Sequence, residues 1–119
     1  MKFSIKYILA SLAMITAATA ISQSTKPVTL EMWVAGTCSG CEKRIESALD
    51  VKGIIFAEYT LKEHTLEVVF KPHKISEKQI HQLVNDAGHD TKKGLASDEA
   101  YSKVDDCCKY RTHDCSKDH

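Results

Sequence analysis

Val28-Thr29-Leu30-Glu31-Met32-Trp33-Val34, then Ala35-Gly36-Thr37, then Cys38-Ser39-Gly40-Cys41-Glu42-Lys43-Arg44-Ile45-Glu46-Ser47-Ala48-Leu49 is the stretch on which the fold turns. From Lys26 to Val34 the residues alternate, with Val28, Leu30, Met32 and Val34 on one side and Thr29, Glu31 and Trp33 on the other. That period of two predicts a strand with one buried face. Cys41, Ile45, Ala48 and Leu49 then recur at helical spacing, and Gly53 lies beyond the end of the stripe. A helix of about three turns is expected there. The small residues 35–37 form the link, so both cysteines fall where a strand hands over to a helix.

Downstream, Gly53 to Leu61 and Thr65 to Phe70 are rich in β-branched and aromatic residues, and polar Lys62-Glu63-His64 between them is short enough for a hairpin. Leu66, Val68 and Phe70 give the second of these strands its inward face, and Pro72 ends it. Ser76-Glu77-Lys78-Gln79 has the form of a capping box, with Ile75 and Ile80 as its hydrophobic staple. Ile80, Leu83, Val84 and Ala87 continue as an apolar stripe, and Gly88 follows where a left-handed C-terminal residue is wanted. A last strand over Asp90 to Ala96 is expected only weakly, because Thr91-Lys92-Lys93-Gly94 has little strand propensity. Each helix has one stripe to bury, so the economical architecture is α+β: a ferredoxin-like βαββαβ sandwich, an antiparallel sheet with two helices on one face.

The chain has 119 residues, of which 43% are hydrophobic, which suits one ordinary domain. Sixteen basic and sixteen acidic side chains cancel, so the basic footprint that nucleic-acid binding requires is absent. Met1 to Lys6 carries two lysines, Tyr7 to Ile15 is a nearly unbroken apolar run, and Ala18-Thr19-Ala20 is a small-x-small cleavage pattern. Residues 1–20 therefore read as a signal peptide, whose apolar run is about half of the roughly 20 residues that span a bilayer. The expected product is periplasmic or secreted, slightly acidic, monomeric and without stable membrane insertion after cleavage. It divides into a domain over residues 26–96 and a polar, cysteine-rich tail over 97–119.

All five cysteines, Cys38, Cys41, Cys107, Cys108 and Cys115, follow the leader and enter a compartment that oxidises thiols. Their uneven spacing, with a pair early and three late, reads as two local sulfur sites and not as a framework of staples. At a helix N-terminus, Cys38 and Cys41 would have thiolates stabilised by unpaired amides and the helix dipole, which lowers thiol pKa values. Three uses fit such a pair. Soft thiolates select Cu(I), Hg(II), Cd(II) or Zn(II) over hard cations; the pair is also suited to disulfide exchange or to a plain structural disulfide. Two ligands on an exposed loop suit an ion that is handed on, whereas a closed zinc site wants four. A thioredoxin-like domain would want a proline facing the disulfide, and Pro27 and Pro72 are the chain's two prolines.

Gly36-Thr37-Cys38-Ser39-Gly40-Cys41-Glu42-Lys43-Arg44-Ile45-Glu46 resembles the metal-binding loop and first helix of heavy-metal-associated domains. That family includes copper chaperones, N-terminal domains of P-type ATPases and periplasmic mercury-binding proteins. Val51-Lys52-Gly53-Ile54 and Ala87-Gly88-His89-Asp90 resemble its two helix exits, and the likeness runs from about Pro27 to Lys93. The resemblance implies a ferredoxin-like fold and assigns Cys38 and Cys41 as metal thiolates. The family usually has methionine two residues before the first cysteine; here the position is Gly36, which implies a looser loop. His89 stands after the second-helix glycine, in the loop that approaches the metal in the family, and is a candidate third ligand favouring Zn(II) or three-coordinate copper. His64, His73 and His81 have no partner at ligand spacing and read as surface histidines.

The tail holds Cys107, Cys108 and Cys115 with His113 and His119, a dense set of soft ligands. Adjacent cysteines bridge each other only with strain, while Cys115 is placed to pair with either. Either a metal site or a small disulfide loop fits, and the tail either folds back on Cys38 and Cys41 or binds an ion of its own. Tyr101 to Val104 reads as a short helical segment docking on the domain. The expected function is non-enzymatic, with no catalytic residues: capture and transfer of a soft ion through the cysteine pair. Cu(I) comes first, Hg(II) and Zn(II) after it, and the partner is a metal transporter or efflux component. A small exported thiol-disulfide oxidoreductase using the same pair is the competing function.

Overall fold

The computed structural model of the chain describes residues 25–112. The expected signal peptide over 1–20, and Cys115, His113 and His119, lie outside the described residues. No helix among the described residues is long and apolar enough to cross a membrane.

Strand β1 (Val28–Trp33) leads through the cysteine loop into helix α1 (Ser39–Ala48). Strands β2 (Ile54–Thr60) and β3 (Thr65–Phe70) form a hairpin, followed by helix α2 (Glu77–Asp86) and a short helix α3 (Asp98–Ser102). The sheet order is β1-β3-β2, antiparallel throughout, with Met32 opposite Leu66 and Tyr59 opposite the same residue on the other side. Because side chains alternate across a strand, this register puts Met32, Leu66, Val68, Phe70 and Tyr59 on one face. There they meet Ile45 of α1 and Ile80 and Val84 of α2 in a single core.

The hairpin needs more than a polar tripeptide. A 3-10 turn over Leu61–Glu63 reverses the chain, and His64 completes it in the left-handed region at φ 52°, donating its amide to the Leu61 carbonyl at 3.2 Å. At α2, both halves of the capping box are made: the Gln79 amide donates to Ser76 Oγ at 3.2 Å and the Ser76 amide to Gln79 Oε1 at 2.8 Å. These bonds satisfy donors that a helix start otherwise leaves open.

One expectation is corrected here. The last strand over Asp90 to Ala96 is reduced to isolated bridges joining Thr91 to Val34 and Thr91 to Gly94. Side chains take the place of ladder bonds in this segment. Asn85 Nδ2 donates to the His89 and Gly94 carbonyls, and the Ala96 amide donates to Asp90 Oδ1. The sheet among the described residues is therefore three-stranded, with Thr91 marking the edge beside β1 where a fourth strand would pair.

The docking expected of Tyr101 to Val104 is made within a longer seating of the stretch from Ser97 onward. Ser97 caps α3 by accepting from the Ala100 amide at 3.1 Å, Val104 is 4% exposed within the core, and a 3-10 turn over Asp106–Cys108 buries Cys108. Helix α3 therefore starts a turn earlier than the Tyr101 to Val104 stripe implies. Gly88 makes the docking possible. Its φ of +99° leaves the left-handed exit of α2, and a Cβ there would stand 2.6 Å from Val104 Cγ1 and 2.7 Å from the Ala100 carbonyl oxygen.

Candidate metal centre

The cysteine loop is braced from two directions before it reaches α1. The Ala35 amide donates to the Asp90 carbonyl at 2.9 Å, and His89 Nδ1 lies 2.8 Å from the Ala35 carbonyl oxygen. A carbonyl only accepts, so Nδ1 carries the proton and Nε2 is the acceptor nitrogen of the neutral ring. His89 is fully buried, stacks on Tyr110 with ring centroids 5.5 Å apart, and leaves Nε2 without a hydrogen-bond partner among the described residues. Burial lowers its pKa, which the Ala35 bond only partly opposes.

Below the loop, the Tyr59 hydroxyl donates to the Val34 carbonyl at 2.8 Å. A Cβ on Gly36 would meet that hydroxyl at 2.8 Å. The expected looseness at Gly36 is corrected by this contact: the phenol of β2 occupies the space under the loop, and only glycine leaves room for it. Burial, with the charges of Cys41 and Glu42 behind it, pushes the Tyr59 hydroxyl far above its ordinary pKa, so it remains a donor.

Cys38 caps α1 with extended backbone and Cys41 lies in the first turn; their sulfurs are 3.6 Å apart. The tail arrives on top of them. Cys38 and Cys108 are disulfide-bonded, Cys107 Sγ lies 3.1 Å from Cys38 Sγ and 3.8 Å from Cys108 Sγ, and Thr37 Oγ1 donates to the Cys107 carbonyl at 2.9 Å. The sulfurs of Cys38, Cys41 and Cys108 all fall within 4.8 Å of one another, and this trio is the group of potential metal ligands among the described residues. Thiolates bound to one ion at Zn–S of about 2.3 Å stand roughly 3.8–4.0 Å apart in tetrahedral or trigonal geometry. The Cys38–Cys41 spacing matches that requirement closely.

Several expectations change with this geometry. The two sulfur sites are one, because the tail folds back on the pair. The partner of Cys108 is Cys38, 70 residues away in sequence, and the pairing expected of Cys115 lies outside the described residues. The pair is not on an exposed loop either, since Cys41 is completely buried and Cys38 is 7% exposed, while Cys107 is exposed at the rim. Burial raises the Cys41 pKa against the hydrogen bonds from Thr37 and Cys38 that lower it, so desolvation outweighs the helix N-terminus. His89 stays outside the sulfur trio and serves the loop instead. His81 is buried and not at the surface, its Nδ1 2.9 Å from Thr91 Oγ1.

Periodicity gave no sign of the residues that seat the tail. Arg111 donates from Nη2 and Nε to the two carboxylate oxygens of Asp90, at 2.7 and 3.1 Å, and from Nη2 to the Ala96 carbonyl at 2.8 Å. The Tyr110 hydroxyl donates to the Gly88 carbonyl at 2.7 Å and accepts from the Asp90 amide at 3.0 Å. Tyr101 packs edge-on against Tyr110 and under the Arg111 guanidinium. An aromatic and an arginine side by side in an otherwise polar segment were the available signal.

Comparison with known proteins places the centre in a lineage. Residues 31–90 match the heavy-metal-associated domain. Over 61 residues the chain is 34% identical to the copper-transporting ATPase RAN1 of Arabidopsis thaliana, covering 50% of this chain and 6% of that protein. Among solved structures, the CopZ metallochaperone is similar with a TM-score of 0.52 at 26% identity, covering 54% of this chain and 98% of its own. The oxidised MerP of Ralstonia metallidurans CH34 is similar with a TM-score of 0.52 at 27% identity, covering 56% and 99%. The matched segment takes in Cys38, Cys41 and His89 and stops at Asp90, before the tail begins. A match over half its length, on the split β-α-β framework with its cysteine pair at the entrance to the first helix, means that this chain belongs to the heavy-metal-associated domain family.

Proposed function

We propose that this protein is an exported, non-enzymatic carrier of a soft metal ion, with Cu(I) as its first cargo and Hg(II) or Zn(II) as alternatives, bound by Cys38 and Cys41. The observation that carries this reading is the convergence of cysteine sulfurs at the start of α1, Cys38 and Cys41 lying 3.6 Å apart, in a heavy-metal-associated domain. Soft, polarisable thiolates favour such ions. The leader-like residues 1–20 support export. Similarity to a copper-transporting ATPase and to a metallochaperone supports copper, and supports a metal transporter or efflux component as recipient.

The ion would move by ligand exchange: a thiolate of the recipient attacks the bound ion, a bridged intermediate forms, and one of the carrier's thiolates leaves. The recipient's thiol proton is lost to solvent and the departing thiolate regains one, so the exchange changes no oxidation state. A slightly acidic carrier would favour a basic patch on its partner.

Titrating the reduced protein with Cu(I), Hg(II) and Zn(II) against a competing chelator tests the reading. One tight equivalent of a soft ion is expected, lost in Cys38→Ser and Cys41→Ser. Catalytic insulin reduction without stoichiometric Cu(I) binding would establish the oxidoreductase instead.

A further inference from the structure

The geometry points to a third sulfur at this site: Cys108, delivered by the chain's own tail, completes a three-thiolate centre with Cys38 and Cys41, and its disulfide to Cys38 is the closed form that cannot load. This rests on the proposed metal-carrying function and specifies how the ion is held. Cys108 lies outside the segment that matches the family, so the third ligand belongs to this chain's extension.

The tail is seated by contacts that do not involve sulfur. Val104 enters the core, Arg111 grips Asp90 with two hydrogen bonds, and Tyr110 is fixed to Gly88 and Asp90. The tail that carries Cys108 is thus held by packing and hydrogen bonds as well as by its sulfur. Cys108 Sγ and Cys38 Sγ both pack beside Gly40, 3.4 and 3.6 Å from where a Cβ would stand, at ordinary contact distance. The Cys108 side chain is 1% exposed, so its sulfur faces the other two and not solvent. Two thiolates leave an ion open to attack; a third from the same chain closes it, and the recipient must then displace Cys108 before it can take the cargo.

In the disulfide form two of the three ligands are consumed by each other. Loading then requires a thiol reductant: two external thiols supply two electrons and two protons, the Cys38–Cys108 bond breaks to give two thiols, and the reductant leaves as its disulfide. The incoming ion displaces the cysteine protons to solvent. The tail therefore couples cargo loading to the thiol state of the compartment.

The test compares the reduced full chain with Cys108→Ser, each loaded with one equivalent of Cu(I). X-ray absorption should report three sulfur neighbours for the native chain and two for Cys108→Ser, and chelator competition should show affinity falling at least tenfold. Equal sulfur number and equal affinity would overturn the proposal while leaving the carrier reading intact; a native chain with free thiols that takes no Cu(I) would overturn both. Three sulfurs persisting in Cys108→Ser and dropping to two in Cys115→Ser would give the role to Cys115 and reject Cys108. Arg111→Ala retains every cysteine, so it checks the tail without removing a ligand. It should release Cu(I) to the chelator several-fold faster, and an unchanged rate would count against closure by the tail. Non-reducing peptide mapping of the oxidised chain should find Cys38 joined to Cys108, whereas a Cys38–Cys41 bond would reject the closed form.

Discussion

Gly36 and Tyr59 illustrate how a single residue sets the loop that carries the cysteines. The phenol hydroxyl donates to Val34 and sits where a Gly36 side chain would be, so Gly36→Ala overpacks a buried site and should cost roughly 1–3 kcal/mol. Tyr59→Phe alone should cost about 1 kcal/mol through the lost hydrogen bond, yet in the double variant it removes the clashing oxygen. The two effects should therefore sum to less than their separate costs, as urea unfolding of all four proteins would show. His89 acts at the same scale. Its lowered pKa means that the unfolded chain binds a proton more readily than the folded one. Stability from this residue is thus complete above the ordinary histidine pKa near 6.5 and is lost as pH falls below it. His81, also lowered first by burial, acts in the same direction. Unfolding free energy should rise from pH 5 to pH 7.5, and His89→Gln should flatten that rise.

At the scale of elements, α2 was fully legible and the segment after it was not. Its start is marked by a reciprocal cap within four residues, a local signal that needs no partner elsewhere; Ser76→Ala should lower stability by about 1 kcal/mol. The segment 90–96 has no such autonomy. Its backbone is satisfied by Asn85 and Asp90 side chains, which no strand pattern reveals. The Asp90–Arg111 pair that then holds the tail has its own pH signature. Burial works to raise the Asp90 carboxyl, but the Arg111 hydrogen bond, the Ala96 amide and the Arg111 charge together lower it below the ordinary carboxylate value. Its contribution is present above the unfolded pKa of about 3.9 and disappears as pH falls through the lower folded value. Limited proteolysis should cut the tail of the native chain only in acid below about pH 4, and that of Arg111→Ala already at neutral pH.

For the whole molecule, the decisive event is the closing of the tail over the first helix. It turns a pair of sulfurs and a distant group into a single cluster. The reduced chain should accordingly take up one tight equivalent of Cu(I); two equivalents of equal affinity in a stepwise titration would show the sulfurs working as separate sites. Truncation after Ala96 should leave the cysteine pair able to bind an ion. It should also lower stability by about 1.5–3 kcal/mol through loss of the buried Val104 side chain alone, measurable by denaturant unfolding of the shortened chain.

By itself, the sequence determined the three strands of the sheet, both long helices and the placing of Cys38 and Cys41 at the entrance to α1, because alternation, helical stripes, caps and short spacings act within a few residues. It could not say that Cys108 meets Cys38, that Tyr59 fills the space beneath Gly36, or that burial would outweigh the helix N-terminus at Cys41. Those outcomes depend on which surfaces the fold brings together across up to 70 residues of chain, and on how much water it excludes when it does.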